Sequence, residues 1–143
     1  MKEETILKLV LVVVFILSVL PWIQSGFVYS DDYRAHVAHV WNMKNNIQNG
    51  NNPFTAPMLE IYSGWPIWQF YSLIPYWVTL PFVFVFGAVG ALKASIVFSF
   101  LVAVISMYFA CNLLFKDTRV SVVASVAYTW FGYHFINAGS RGA

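Results

Sequence analysis

The stretch "YSDDYRAHVAHVW", residues 29–41, places two adjacent carboxylates, Asp31 and Asp32, just before two imidazoles. His36 follows Asp32 by four residues and His39 by seven, so on a helix all three share a face. These residue types at this spacing support three chemistries. An aspartate at a helix N-terminus caps the first free N–H groups and complements the macrodipole. Its i+4 histidine is then an ordinary surface pair worth about 0.2–0.5 kcal/mol. Alternatively, Asp32, His36 and His39 are suitable ligand types for a divalent metal, although two turns of helix supply only part of a coordination shell. The third possibility is a catalytic carboxylate. The spacing leaves all three open.

The element that must carry these groups is an amphipathic helix over 32–48, with Asp31 or Asp32 as its N-cap. At about 100° per residue, Tyr33, Val37, Val40 and Ile47 fall on one face, with Trp41 at its edge. Asp32, His36, His39 and Asn46 form a neighbouring stripe. Such a helix is expected to lie on a membrane surface, apolar face down, with its acidic and imidazole groups pointing sideways or up. Gly50, the asparagines after it and Pro53 end it.

The expectation of a membrane comes from composition. Charged residues make up 10% of the 143-residue chain, against about 25% in soluble domains. Aromatic residues reach 19%. A small soluble domain cannot hide that much apolar surface. A net charge of +2 without a Lys/Arg-rich run excludes nucleic acid as an expected partner. The single cysteine, Cys111, lies in an apolar run; it allows no internal disulfide and reads as a packing residue.

The fold class expected is therefore an all-α integral membrane protein with about three spanning helices, near 6–28, 94–115 and 120–136. The first run follows Lys2 and Lys8 and resembles a signal-peptide core. It is prolonged by Pro21-Trp22-Ile23 and lacks a small-x-small cleavage site, which favours an uncleaved span. An outer loop over 29–92 carries the amphipathic helix and a second apolar stretch, 66–90. Pro66, Pro75 and Pro81 interrupt that stretch, and Gly87 and Gly90 close it. A proline-broken, juxtamembrane segment is expected there, with Trp65, Trp68, Tyr71, Tyr76 and Trp77 at headgroup level. Were 66–90 to cross, the chain would have four spans. Counting Lys and Arg gives four on each side in either arrangement, so charge does not choose between them.

Three motifs add a resemblance. "DDYRAHVAHVWNMKNNIQNG" is similar to an Asp-x-x-x-His helix ending in Gly, and "GWPIWQFYSLIPYW" to a Gly-x-Pro…Phe-Tyr…Pro-x-Tyr pattern. "NAGSRGA" is similar to an Arg-Gly-Ala that follows a third span. In this order the chain resembles the GT-C membrane glycosyltransferases, and most nearly the YfhO-like and pyruvoyl-tetrahydropterin-synthase-related membrane proteins. It departs from their pattern at Leu73-Ile74, where a proline often comes earlier. The resemblance implies transfer of a sugar from a polyprenyl-phosphate donor to an acceptor on the outer face of the cell membrane. It implies a cytoplasmic N-terminus, with "KDTR" (116–119) inside and Arg141 outside.

On that resemblance, Asp32, with Asp31 second, is the catalytic carboxylate that removes or orients the acceptor's proton. Arg141, directly or beside a divalent metal, would stabilise the phosphate leaving group. His36, His39, Tyr71 and Tyr76, with Trp68, would line the sugar or lipid path, unless the aromatic rings serve only as an interfacial belt. GT-C enzymes are longer, so the chain is expected to be the N-terminal part of one polytopic domain, completed by further spans or partner subunits. A reading from another class is a small non-catalytic membrane protein that assembles with partner helices. Its packing stripes would be Ser99, Ala103 and Ser106 in one span and Ser121, Ala124 and Ser125 in the next. No acidic or basic residue lies mid-span, which disfavours a transporter.

Overall fold

The computed structural model describes residues 3–26, 32–53 and 72–132, which form helices with no strand among them. We label these α1 (Glu3–Ile23), α2 (Tyr33–Gln48), α3 (Ile74–Phe115) and α4 (Thr118–Thr129).

Helix α1 rises roughly 31 Å over its 21 residues, close to the thickness of a bilayer's hydrocarbon core. It ends at Ile23, five residues before the expected boundary. Pro21 lacks the N–H that would continue the ladder, and Gly26 turns the chain with φ +93°. The carbonyls freed at this exit are taken by Lys93, whose Nζ donates to Gln24 O and Gly26 O, each at 2.6 Å.

Helix α3 is two helical segments joined at a kink, and the break falls at Gly87, where the second apolar stretch was expected to close; φ 69° and ψ 176° there are essentially restricted to glycine. The expected interruptions at Pro75 and Pro81 do not occur. The first segment begins at Ile74, Pro75 stands in its first turn, where the missing N–H has no intrahelical partner to lose, and Pro81 lies within it. Gly90 completes the kink: a Cβ there would meet Phe86 Cβ at 2.7 Å. The portion 88–115 alone rises about 42 Å. Among the described residues, α1 and α3 are the two helices long and apolar enough to cross a membrane.

Helix α4 follows a two-residue turn. Lys116 takes the left-handed conformation, φ 52°, and its N–H donates to Asn112 O. Asp117 then caps α4, its Oδ1 accepting from Arg119 N at 2.8 Å and Val120 N at 3.4 Å. Twelve residues rise only about 18 Å, so α4 alone does not match the span expected over 120–136. That segment lies outside the described residues from 133 onward.

Two separate cores are threaded on α3. Val19 and Trp22 of α1 pack with Ile96 and Phe100 in its middle. Tyr33, Val40 and Met43 of α2 pack with Tyr76, Leu80, Val83, Ala91 and Leu92 around the kink. At the far end of α1, Arg119 Nη2 lies 2.6 Å from Glu3 Oε1. That ion pair is exposed and screened by solvent, so it locates rather than stabilises. Helix α1 and the 88–115 portion of α3 are thus antiparallel. The start of α1 and the α3–α4 turn share one end of the molecule. The exit of α1, the kink and α2 share the other.

Many large apolar side chains face outward while several small hydroxyls are buried. Ile6, Leu9, Val13, Ile16, Phe98, Ile105 and Phe109 are exposed, while Ser18, Ser121, Ser125 and Thr129 are buried. Each of those four hydroxyls donates to the carbonyl four residues back, so burial leaves none of them unpaired. Of the two small-residue stripes, Ser121 and Ser125 pack inward, whereas Ser99 and Ser106 remain exposed. Cys111 is buried, as a packing residue would be.

Gly87 supplies a direct test of this architecture. Nothing lies within 4 Å of a Cβ built on it, so Gly87→Ala adds backbone strain without a clash. We expect about 1–3 kcal/mol of destabilisation in detergent-micelle unfolding. A variant as stable as the parent would show that the kink does not need glycine.

Candidate functional site

The site forms where α2 lies across the first part of α3. Tyr33, the first residue of α2, is fully buried, and its hydroxyl donates to Val89 O at 3.0 Å. Burial pushes its phenol up to about 12. This bond anchors the start of α2 one helical turn from Lys93, and Lys93 holds the exit of α1. Asp32 stands beside that anchor, exposed.

Asp32 does not cap α2 with its side chain, which corrects one of the expected roles. It occupies the N-cap position and its carbonyl accepts from His36 N at 3.0 Å, but its carboxylate makes no capping hydrogen bond. The backbone gives the reason. Asp32 lies at φ −102°, ψ −6°, already near helical, whereas a capping side chain requires an extended residue. Asp117 meets that requirement at φ −128°, ψ 117°, and makes both bonds.

The imidazoles also differ from their expected orientation. His36 is 7% exposed and His39 2%, and both turn onto α3 rather than outward. Each approaches the same atom, the Tyr76 hydroxyl, with His36 Nδ1 at 2.6 Å and His39 Nδ1 at 3.0 Å. The two rings are 6.2 Å apart and nearly perpendicular. Tyr76, expected at headgroup level or along a substrate path, is 3% exposed and forms the centre of this cluster. The polar face continues along α2, where Asn46 Nδ2 donates to Asn42 Oδ1 at 2.9 Å and both residues are buried. The polar stripe of α2 is therefore an interior face, shared with Tyr33, Val40 and Met43.

Burial sets the protonation of both imidazoles. Desolvation holds His36 below the ordinary histidine range, with the negative charge of Asp32 acting in the opposite direction. Desolvation, aided by His36, lowers His39 to about 4. Both rings are neutral at physiological pH. Asp32, His36 and His39 do not form a metal-holding group; among the described residues no three His, Cys, Asp or Glu side chains do. Asp31, Tyr71 and Arg141, with Trp68, lie outside the described residues.

Sequence reasoning missed Tyr33 as an anchor and Asn42 as a member of the polar face. Tyr33 falls on the apolar side by periodicity, and only the position of Val89 reveals the use of its hydroxyl. Asn42 lies four residues before Asn46, a spacing at which two amides can pair.

Two predictions follow from these geometries. Because Asp32 makes no side-chain cap, Asp32→Ala should change stability by less than about 0.5 kcal/mol. Asp117→Ala should cost about 1 kcal/mol. Equal losses in denaturant unfolding would contradict the difference in backbone conformation. The imidazoles predict an acid dependence. The unfolded chain takes up protons at an ordinary histidine value near 6.5, whereas folded His39 resists them until about 4. Packing of α2 should therefore be fully stable above pH ~6.5 and lose stability progressively as the pH falls toward about 4. An unfolding midpoint constant across that interval would exclude neutral, desolvated imidazoles.

No family model, no curated protein and no solved structure matches the chain, so its function is argued from its own residues.

Proposed function

We propose that the chain belongs to the membrane-embedded region of a GT-C-like glycosyltransferase. It would move a sugar from a polyprenyl-phosphate donor to an acceptor on the outer face of the cell membrane. The observation that carries the reading is Asp32: an exposed carboxylate not engaged in capping, held at the exit of α1 by Tyr33 on Val89 and by Lys93 on Gln24 and Gly26.

The apolar exteriors of α1 and α3 support a membrane position, since water would not tolerate so continuous an apolar surface. In this arrangement α1 and the 88–115 portion of α3 cross the bilayer. The N-terminus and the Lys116–Asp117 turn are cytoplasmic, and α2 lies at the outer headgroup layer beside the 74–86 portion of α3. A donor phosphate anchored by its lipid sits at that same depth. Asp32 then removes or orients the proton of the acceptor hydroxyl or amide as the sugar–phosphate bond breaks, assistance worth about 10²–10⁴-fold. The departing phosphate calls for a cation, and Arg141 is the residue the GT-C resemblance offers.

A second reading, a non-catalytic protein that assembles with partner helices, is favoured by Ser99 and Ser106, which remain exposed on α3. Asp32→Asn separates the two. Membranes containing the intact protein would be assayed with polyprenyl-phosphate-linked monosaccharides and scored for sugar transfer. The glycosyltransferase reading expects the variant to fold normally and lose about 10²–10⁴-fold in rate. Transfer at the parental rate would sink that reading and favour assembly.

A further inference from the structure

Two aromatic rings show how sharply α3 bends. Phe82 stands five residues before Gly87 and Phe98 eleven after it, yet their ring centres are 6.1 Å apart. A straight helix would separate these residues by about 24 Å along its axis. Each ring centre lies only about 4 Å from its own Cα, so two side chains cannot bridge that separation. The contact also fixes a depth. Phe98 lies about 16 Å along the 88–115 portion, so a ring that touches it stands well down that portion from the kink. The 74–86 portion therefore folds back beside 88–115. Gly90 permits the fold, since a Cβ there would meet Phe86 Cβ at 2.7 Å.

From this geometry we infer that 74–86 is a re-entrant helix: it dips into the outer leaflet with α2 packed on its inner face and lipid acyl chains covering its outward stripe. The inference rests on the membrane placement proposed above and not on glycosyl transfer. Thirteen residues rise about 20 Å, too short to cross a hydrocarbon core of about 30 Å, so the segment enters the bilayer without spanning it.

The chemistry of the segment suits that depth. Ile74, Val78, Pro81 and Val85 share one stripe and are exposed, and no charged residue occurs from Ile74 to Leu92. The stripe has the same character as the exposed Phe98, Val102 and Ile105 of the membrane-crossing portion. It offers no polar atom of its side chains to a protein partner, whereas protein interfaces carry about one hydrogen bond per 100–200 Å². Its polar side chains turn the other way. Thr79 Oγ1 donates to Pro75 O, and the Tyr76 hydroxyl meets His36 and His39 on α2. The helix start needs little water. Pro75 has no N–H, and Tyr76 and Trp77 both donate theirs to Leu73 O at 3.1 Å, as backbone at membrane depth requires. Lys44 of α2 holds its ammonium 6.0 Å from the Phe84 ring near the kink, where a long side chain can reach the headgroups.

The test is spin-label accessibility in the intact protein, reconstituted in phosphatidylcholine liposomes with Cys111→Ser and one introduced cysteine at a time. Labels are placed through Val78→Cys and Val85→Cys, with Val102→Cys as the span reference and Arg34→Cys as the surface reference. We expect positions 78 and 85 to match 102, colliding with oxygen in preference to a water-soluble nickel chelate, and position 34 to show the reverse. Preference for the chelate at 78 and 85 would put the stripe in water and overturn the inference. Protection from both reagents would mean that protein covers the stripe, and overturns it equally. A second measurement reads the fold-back without reference to depth: Phe82→Cys paired with Phe98→Cys should be bridged by a short bis-maleimide. No bridge, although each cysteine alone reacts with a monofunctional maleimide, would overturn the fold-back. Chelate access at 102 would overturn the membrane placement itself, whereas the Asp32→Asn assay reads glycosyl transfer alone, so the two failures are distinguishable.

Discussion

The Tyr76 phenolic oxygen permits α2 to present a polar face to the protein interior. Two imidazoles buried without partners would each cost several kcal/mol in desolvation, enough to keep the helix at the surface. A single hydroxyl, able to donate once and accept twice, offers a partner to both Nδ1 atoms at 2.6 and 3.0 Å. With those groups satisfied, Tyr33, Val40 and Met43 are free to bring their apolar area against Leu80 and Val83. The apolar contacts supply most of the attraction, at about 25 cal/mol per Å² buried, while the polar contacts fix the register. A helix that slid by one turn would lose the His36 and His39 contacts together.

That register matters because α3 is discontinuous in direction. Gly87 divides it into a portion that packs with α2 and a longer portion that packs with α1. The Tyr33 hydroxyl meets the chain two residues beyond the kink, at Val89 O. Lys93, one turn further, draws in the end of α1. Helices α1 and α2 thus converge within a few residues of α3, each joined to it by a side chain bonded to a backbone carbonyl. The opposite end depends on local chemistry instead: a left-handed Lys116 and a well-capped Asp117 reverse the chain in two residues.

Much of this was legible in the sequence, and the exceptions share a cause. The bounds of α2, the apolar character of α1 and α3 and the turn at "KDTR" follow from periodicity, composition and turn chemistry, all of which act locally. The polar stripe containing His36, His39 and Asn46 was also legible as a stripe. Its destination was not, because periodicity defines a face without saying what will cover it. Tyr76 illustrates the same limit. Forty residues from His36, it reads as an interfacial ring until the helices are placed side by side. The end of the second apolar stretch at Gly87 was legible as well, whereas the interruptions expected at Pro75 and Pro81 do not occur, because Pro75 falls where a helix tolerates it and Pro81 is accommodated within the segment.

The two aspartates at helix starts carry the functional argument one step further. Asp117 does what sequence rules ask of a capping residue: extended backbone, two hydrogen bonds to free N–H groups and a role that ends there. Asp32 holds the equivalent position on α2 with a nearly helical backbone and no side-chain cap. A capping bond is worth about 1 kcal/mol, so α2 forgoes a stabilisation that a modest change in backbone angle would restore. Local rules are most often broken at sites where a side chain is needed for something other than stability. What compensates α2 lies one turn away, in the bonds of His36 and Tyr33 to α3, which hold the helix start without drawing on the carboxylate. The arrangement leaves the exposed Asp32 carboxylate uncommitted to capping, whereas the Asp117 carboxylate is spent on the start of its helix.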